Sequence, residues 1–292
     1  MRKQGWWGFA FTVPFVLQLL IFFLFPFVFS LYLTFTKWDL FNPPQWIGLR
    51  NWNQFLHLKV FWLSMRNVGY FAVLFVPLQT FTALILAYLL NQQIRGKSLF
   101  RMIYFLPVIT PWVAGGMIWL WIYNNEYGLL NWILHILGLQ PIDWIRSGKW
   151  WLVIGSIALV NIWKGAGYSM VLILAGMQNI SEEMLEAARM DGATGWTLFT
   201  KITMPIVSPM VYMVMILSTI SAFHAFDVFL VMLGDVISVA DRNMVPNILI
   251  YRDSFLNFKM GSASAMAWGL FLVILAITIV QKVTEKRWVH YE

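Results

Sequence analysis

Ser181-Glu182-Glu183-Met184-Leu185-Glu186-Ala187-Ala188-Arg189-Met190-Asp191-Gly192-Ala193 reads as a short polar helix caught between two long apolar runs. Ser181 suits an N-cap, and Glu182 and Glu183 fall in the first turn, where the helix macrodipole favours anions. Ala187 and Ala188 are strong helix formers that leave a low surface, and Gly192 is a natural C-terminal stop because it tolerates the left-handed conformation. On these residues alone the segment suits either a docking element or a plain helical loop. Its flanks decide the class of protein. Trp151 to Gly176 precedes it and Met204 to Leu233 follows it, each long enough to cross a bilayer at about 20 residues per crossing.

Moving outward, four more such runs appear: Phe9 to Phe35, Val68 to Leu90, Met102 to Tyr123 and Ala263 to Val280. The shorter Tyr127 to Ile142, interrupted by Gly138 and Pro141, fits an interfacial or re-entrant helix. The chain of 292 residues is 60% hydrophobic and 11% charged, with a mean hydropathy of +0.70. Soluble domains run nearer about 45–50% apolar and about 25% charged, which excludes a soluble globular protein. The expectation is an all-α integral membrane protein with six transmembrane helices. The first run far exceeds the apolar core of a signal peptide and no A-x-A site follows, so it is expected to remain.

The formal net charge of +7 does not indicate nucleic acid, because the basic residues punctuate apolar runs without forming a polybasic tract. They mark loop ends and lipid head-group contacts instead. Basic residues divide almost evenly between the two faces, but Arg95, Lys97 and Arg101 crowd one short loop without an acid, which favours both termini on the cytoplasmic side. Trp6 and Trp7, Trp119 and Trp121, and Trp150 and Trp151 lie near span ends, where indoles settle at the interface.

Sites for chemistry are absent from the sequence. There is no cysteine, hence no thiolate metal site, and no histidine belongs to an H-E-x-x-H pattern, so no metal is expected. Gly96-Lys97-Ser98 mimics the end of a P-loop, yet Asn91 stands where the motif needs its first glycine. Gly261 to Ala265 does not satisfy G-x-S-x-G. Two charges lie inside spans, Lys164 and Asp227. Because such charges usually face a bundle interior or cavity, they and Asn161, Trp163, Tyr168 and His224 are candidates for a solute path. The other readings are that Lys164 and Asp227 form a structural ion pair, or that Asp227 sits near the outer edge.

Glu186-Ala187-Ala188-Arg189-Met190-Asp191-Gly192-Ala193, continuing through Phe199, Ile202, Pro205 and Pro209, closely resembles the EAA motif of binding-protein-dependent ABC importer permeases. Leu174 to Ile180, Phe105-Leu106-Pro107, Ile118 to Asn131, Phe226-Asp227 and Gly261 to Ala265 are similar to sugar-type members, and the likeness is strongest from about Asn67 to Gln281. One departure is Leu233-Gly234-Asp235, where sugar permeases often carry a Gly-rich, Pro-ended signature. The resemblance implies a type I ABC importer permease fold, with a first helix and outer loop over residues 1–66, a transporter core over 67–282 that contains the coupling loop 181–195, and a cytoplasmic tail over 283–292.

It also implies a role for each residue of the loop. Glu186 would be the anionic contact to a basic residue of an ATPase, Ala187 and Ala188 the close-packed face and Gly192 the exit turn, with Asp191 and Ala193 also among the coupling residues. The implied function is carbohydrate import by alternating access, with no catalysis and no cofactor in this chain, ATP and magnesium being held by the ATPases. Implied partners are a second, homologous permease in a heterodimer, two ATPase subunits, an extracytoplasmic solute-binding protein and membrane lipid. A non-sugar solute such as glycerol phosphate is the alternative cargo. An ion-coupled secondary transporter is a poorer match, since it would show internal repeats and titratable relays.

Overall fold

The computed structural model describes residues 2–92, 95–234, 243–286 and Val289, with side chains from Phe11 onward. Asp235 and most of the tail after Glu285 lie outside the described residues, as do the side chains of Trp6 and Trp7. Among the described residues the helices are α1 (Arg2–Leu19), α2 (Phe25–Leu33), α3 (Arg50–Leu56), α4 (Lys59–Asn91), α5 (Lys97–Ile109), α6 (Trp112–Ile122), α7 (Leu129–Ile136), α8 (Trp150–Gln178), α9 (Glu182–Met190), α10 (Gly195–Leu198), α11 (Met204–Phe223), α12 (Asp227–Leu233), α13 (Pro246–Tyr251) and α14 (Met260–Glu285). A two-residue hairpin, β1 (Thr36–Lys37) with β2 (Gln45–Trp46), is antiparallel, Thr36 facing Trp46.

Five helical stretches are long and apolar enough to cross a bilayer, and α5 with α6 supplies a sixth as a pair bent by 100°. The expected span Met102 to Tyr123 thus falls on a bent pair. Pro111 turns Thr110 out of helical geometry, to ψ 131°, and the chain restarts at Trp112 in a new direction. The expected run Met204 to Leu233 is likewise broken. Helix α11 ends at Phe223, where Asn247 Nδ2 donates to the freed Phe223 carbonyl at 2.9 Å, and α12 begins at Asp227. A break inside an apolar span needs such donors, because hydrocarbon offers none. The Tyr127 to Ile142 stretch forms α7, which ends before Gly138 at φ +71°.

The chain forms two compact units, one made of Met1–Phe61 and Leu249–Leu272, the other of Trp62–Ile248 and Val273–Glu292. In the larger unit, α8 is the central element. Two thirds of its most apolar window lies inside the protein, 67% against 6% for the first span. Ala83, Ala87 and Leu90 of α4, Met170, Ile173 and Leu174 of α8, and Val207, Val211 and Val214 of α11 make one buried cluster. Small residues set the spacing, as in other membrane bundles. A Cβ on Gly116 would meet Val231 Cγ1 at 2.6 Å, so α6 and α12 touch nearly backbone to side chain.

In the smaller unit the first span is almost entirely exposed, with Phe11, Phe15, Phe22 and Phe23 turned outward, as suits a helix solvated by lipid. The loop after it is tightly built. Buried Asn51 donates to the carbonyls of Thr34 and Thr36 at 2.9 and 2.8 Å, Trp52 Nε1 donates to Thr34 Oγ1 at 3.1 Å, and Met260 N–H donates to the Trp38 carbonyl at 3.0 Å.

Candidate functional site

Helix α9 is fixed at both ends by its own residues. Ser181 Oγ accepts the Met184 N–H at 3.3 Å, and Glu182 and Glu183 occupy the first turn. At the other end, Ala193 N–H donates to the Ala188 carbonyl at 2.9 Å and Gly192 N–H to the Arg189 carbonyl at 3.0 Å, with Gly192 at φ +83°. This is the reciprocal closure that a glycine just past a helix permits. Nothing lies within 4 Å of a Cβ placed on Gly192, so a substitution there is strained, without being crowded. Gly192→Val is expected to cost about 1–2 kcal/mol locally. Ser181→Ala is expected to cost about 1 kcal/mol. Hydrogen exchange over residues 182–193 should quicken by at least about fivefold in each, and unchanged exchange would show that these ends are held by something else.

The face that α9 offers differs from the expected one. Ala188 is already covered by the chain itself, whereas Glu186, Ala187, Arg189 and Asp191 are exposed. The two alanines cannot share a face, since adjacent helical residues point about 100° apart. Two residues that sequence reading passed over complete the outer surface: Met190 is 89% exposed and Trp196, at the start of α10, is 76% exposed. Their signal was available, as large apolar side chains in a segment otherwise polar.

Lys164 has a defined role in the bent pair. Its Nζ donates to the carbonyls of Pro107 at 3.1 Å and Val108 at 3.3 Å, and to that of Thr110, the last carbonyls of α5. The ammonium also lies 4.8 Å from the centre of the Trp112 ring on the first residue of α6. A cation thus sits where a helix C-terminus concentrates partial negative charge, beside the aromatic face that opens the next helix. Lys164 does not pair with Asp227. The ion-pair reading is corrected for a simple reason: the carbonyls at the break and the Trp112 ring already engage this ammonium.

The other candidates for the path are not brought together. Asn161 is buried and Nδ2 donates to the Ile157 carbonyl of its own helix at 3.2 Å. Trp163 packs edge-on to Trp119 at 5.8 Å between ring centres and lies against Gly115, so Trp119 serves packing as well as any interface. Trp150 carries Arg66 over its ring at 4.1 Å. Tyr168 is 49% exposed, and His224 and Asp227 are exposed as well, Asp227 in the first turn of α12.

Comparison with known proteins agrees with this architecture. Residues 79–290 match the profile of the family described as "Binding-protein-dependent transport system inner membrane component". A Bacillus subtilis protein named "Probable ABC transporter permease protein YesP" is 35% identical over 298 residues, covering 100% of this chain and 94% of that one. The trehalose/maltose transport system permease protein MalF of Thermococcus litoralis is 30% identical over 275 residues, covering 94% of this chain and 91% of its own. A chain in the crystal structure of a bacterial alginate ABC transporter, in complex with its alginate pentasaccharide-bound periplasmic protein, superposes with a TM-score of 0.85 at 21% identity, over 98% of this chain and 96% of that one. The chain therefore belongs to the family of binding-protein-dependent transport system inner membrane components, with sugar-type ABC permeases among its relatives.

Proposed function

We propose that this chain is one transmembrane half of an importer that takes a carbohydrate into the cytoplasm by alternating access, driven by ATP hydrolysed on separate subunits. The carrying observation is the surface of α9. A helix capped at both ends presents Glu186, Ala187 and Asp191 of the E-A-A and D-G-A pattern outward, with the intervening Arg189 and Met190 exposed beside them. Glu186 supplies an anionic contact, and Met190 and Trp196 supply the apolar area that an acidic patch alone would lack. Energy from the ATPase shifts the transporter between states only if the docked helix holds its shape, because a connection that bends dissipates the differential binding.

The remaining assignments follow from that reading. A homologous permease completes the pathway, an extracytoplasmic binding protein delivers the solute, and both termini lie on the cytoplasmic side together with α9. The path runs along the exposed Tyr168, His224 and Asp227, while Asn161, Trp163 and Lys164 hold the helices behind it. The test is reconstitution with the partner subunits in proteoliposomes. Glu186→Arg should reduce ATP-driven uptake at least about tenfold and blunt solute-stimulated hydrolysis, with the subunits still assembled. Uptake and stimulation both unchanged would overturn the coupling role. Uptake driven by an ion gradient in the absence of ATPase would overturn the importer class itself.

A further inference from the structure

The smaller unit holds a cavity of about 950 Å³ at the end of the first span, open on one side and walled by the loop 36–58 and by residues 253–262. It falls within the size of ordinary small-molecule sites, about 300–1,000 Å³. Its floor is rigid: Asn51 is tied to Thr34 and Thr36, and Gly261 lies so close to the Thr36 carbonyl that a Cβ there would overlap it. Its walls are amides and cations. Gln45, Asn53 and Gln54 offer both donors and acceptors, and Lys37, Arg50 and Lys259 offer donors alone.

The acids of the lining are already engaged. Asp39 accepts the N–H groups of Phe41 and Asn42 and the Asn42 side-chain amide, and those donors hold its carboxyl below the usual carboxylate range. Asp253 Oδ1 accepts from Asn257 at 3.0 Å. What faces the opening is therefore rich in donors and slightly cationic. Trp38 and Phe258 add two aromatic faces.

Backbone strain converges on the same place. Among the described residues, the non-glycine positions with positive φ are Leu40, at +73°, and Phe258, at +52°. Leu40 lies in the chain between the lining residues Asp39 and Asn42, Phe258 lines the wall, and Phe41 and Phe258 touch with ring centres 5.3 Å apart. Such conformations cost about 1–3 kcal/mol each and cluster at ligand clamps.

We infer that this cavity binds one end of an oligosaccharide, its amides and cations bonding hydroxyl and ring oxygens while Trp38 and Phe258 cover the apolar sugar faces. Hydroxyls both donate and accept, which matches amide walls better than an acyl chain or a simple anion would. The inference shares with the proposed function only the class of solute. Its test reads binding, without ATP, so the failure of one is separable from failure of the other.

The experiment uses the full chain in lipid nanodiscs, with its partner subunits where these are needed for purification, and maltotriose and trigalacturonate as probes. Binding is followed by saturation-transfer NMR and calorimetry. Saturable binding of either probe, weakened at least about fivefold by Arg50→Gln with Gln54→Ala at an unchanged thermal midpoint, is the expected result. Should that variant fail to fold, Gln45→Ala with Asn53→Ala, both exposed, reads the same loss. No saturable binding of either probe, or equal binding by the variants, overturns the inference. So does a variant that loses capture of the purified solute-binding protein while the saccharides give no signal, since the cavity is then a protein-docking surface.

Discussion

Lys164→Met is expected to lower the stability of the membrane-embedded chain by about 3 kcal/mol or more, and its thermal midpoint by roughly 10 °C. Two effects oppose each other. Removing a buried ammonium relieves the desolvation that a cation suffers inside a protein, and replacing buried charges by apolar groups is often neutral when both partners go. Here only one partner goes. The carbonyls of Val108 and Thr110 lose the donor that Lys164 supplies, in surroundings where each unsatisfied backbone group costs several kcal/mol, and that of Pro107 keeps only the Thr110 N–H. Lost contact with the Trp112 ring adds to the same side. Lys164→Arg keeps a cation with several donors and should recover a substantial part of the loss. Thermal unfolding in nanodiscs, followed by tryptophan fluorescence, checks both. A Met variant as stable as the parent would mean that Pro111 and the packing of α6 hold the bend unaided.

Lys164 also shows where sequence reading stops. A charge inside a span is visible, and the default inference from it is a solute path or an ion pair. Its actual partners are three backbone carbonyls, which have no side-chain signature, so the residue type could mark the anomaly without identifying its resolution. The break was closer to legible. Thr110 precedes Pro111, and Gly115 and Gly116 follow, but the uniform hydropathy of Met102 to Tyr123 outweighed the local signal. The spans themselves were read from length and apolarity, quantities that a bilayer imposes on a chain directly.

The loop was legible in its caps and not in its exposed face. Ser181, Gly192 and Ala193 act within a few residues of themselves, through bonds that local sequence determines. Which alanine is covered depends on the rest of the fold, and Ala188 rather than Ala187 proved to be the covered one. The same division separates the α9 reading from the path reading. Coupling depends on a short contiguous helix, whereas a path gathers residues from distant helices, and of the six candidates only Tyr168, His224 and Asp227 remain exposed.

Gly167→Ala should be as damaging as loss of Lys164, by a different route. A Cβ at this position would stand 2.1 Å from the Tyr104 carbonyl oxygen, 2.8 Å from its carbon and 3.1 Å from Phe105 Cα. All three are backbone atoms of α5, so no rotamer change relieves the overlap. Helices α5 and α8 must separate by roughly 1 Å, forfeiting close-packed contacts along their length at about 0.1–0.2 kcal/mol per atom pair. Gly167 lies one turn from Lys164 on the same face of α8, so that separation also draws the ammonium away from the carbonyls at the break. The expected loss is about 3 kcal/mol. Because both changes break one contact, the double variant should fall well short of the sum of the singles. Gly155→Ala is the control, since its Cβ would meet only Leu74 at 3.9 Å and should leave stability within about 0.5 kcal/mol. If Gly167→Ala unfolds at the parent temperature, the helices are not held at this distance and the Lys164 contact cannot depend on it. If instead the two losses simply add, the close approach and the capped break are separate devices, and α8 secures the bent span at two independent points.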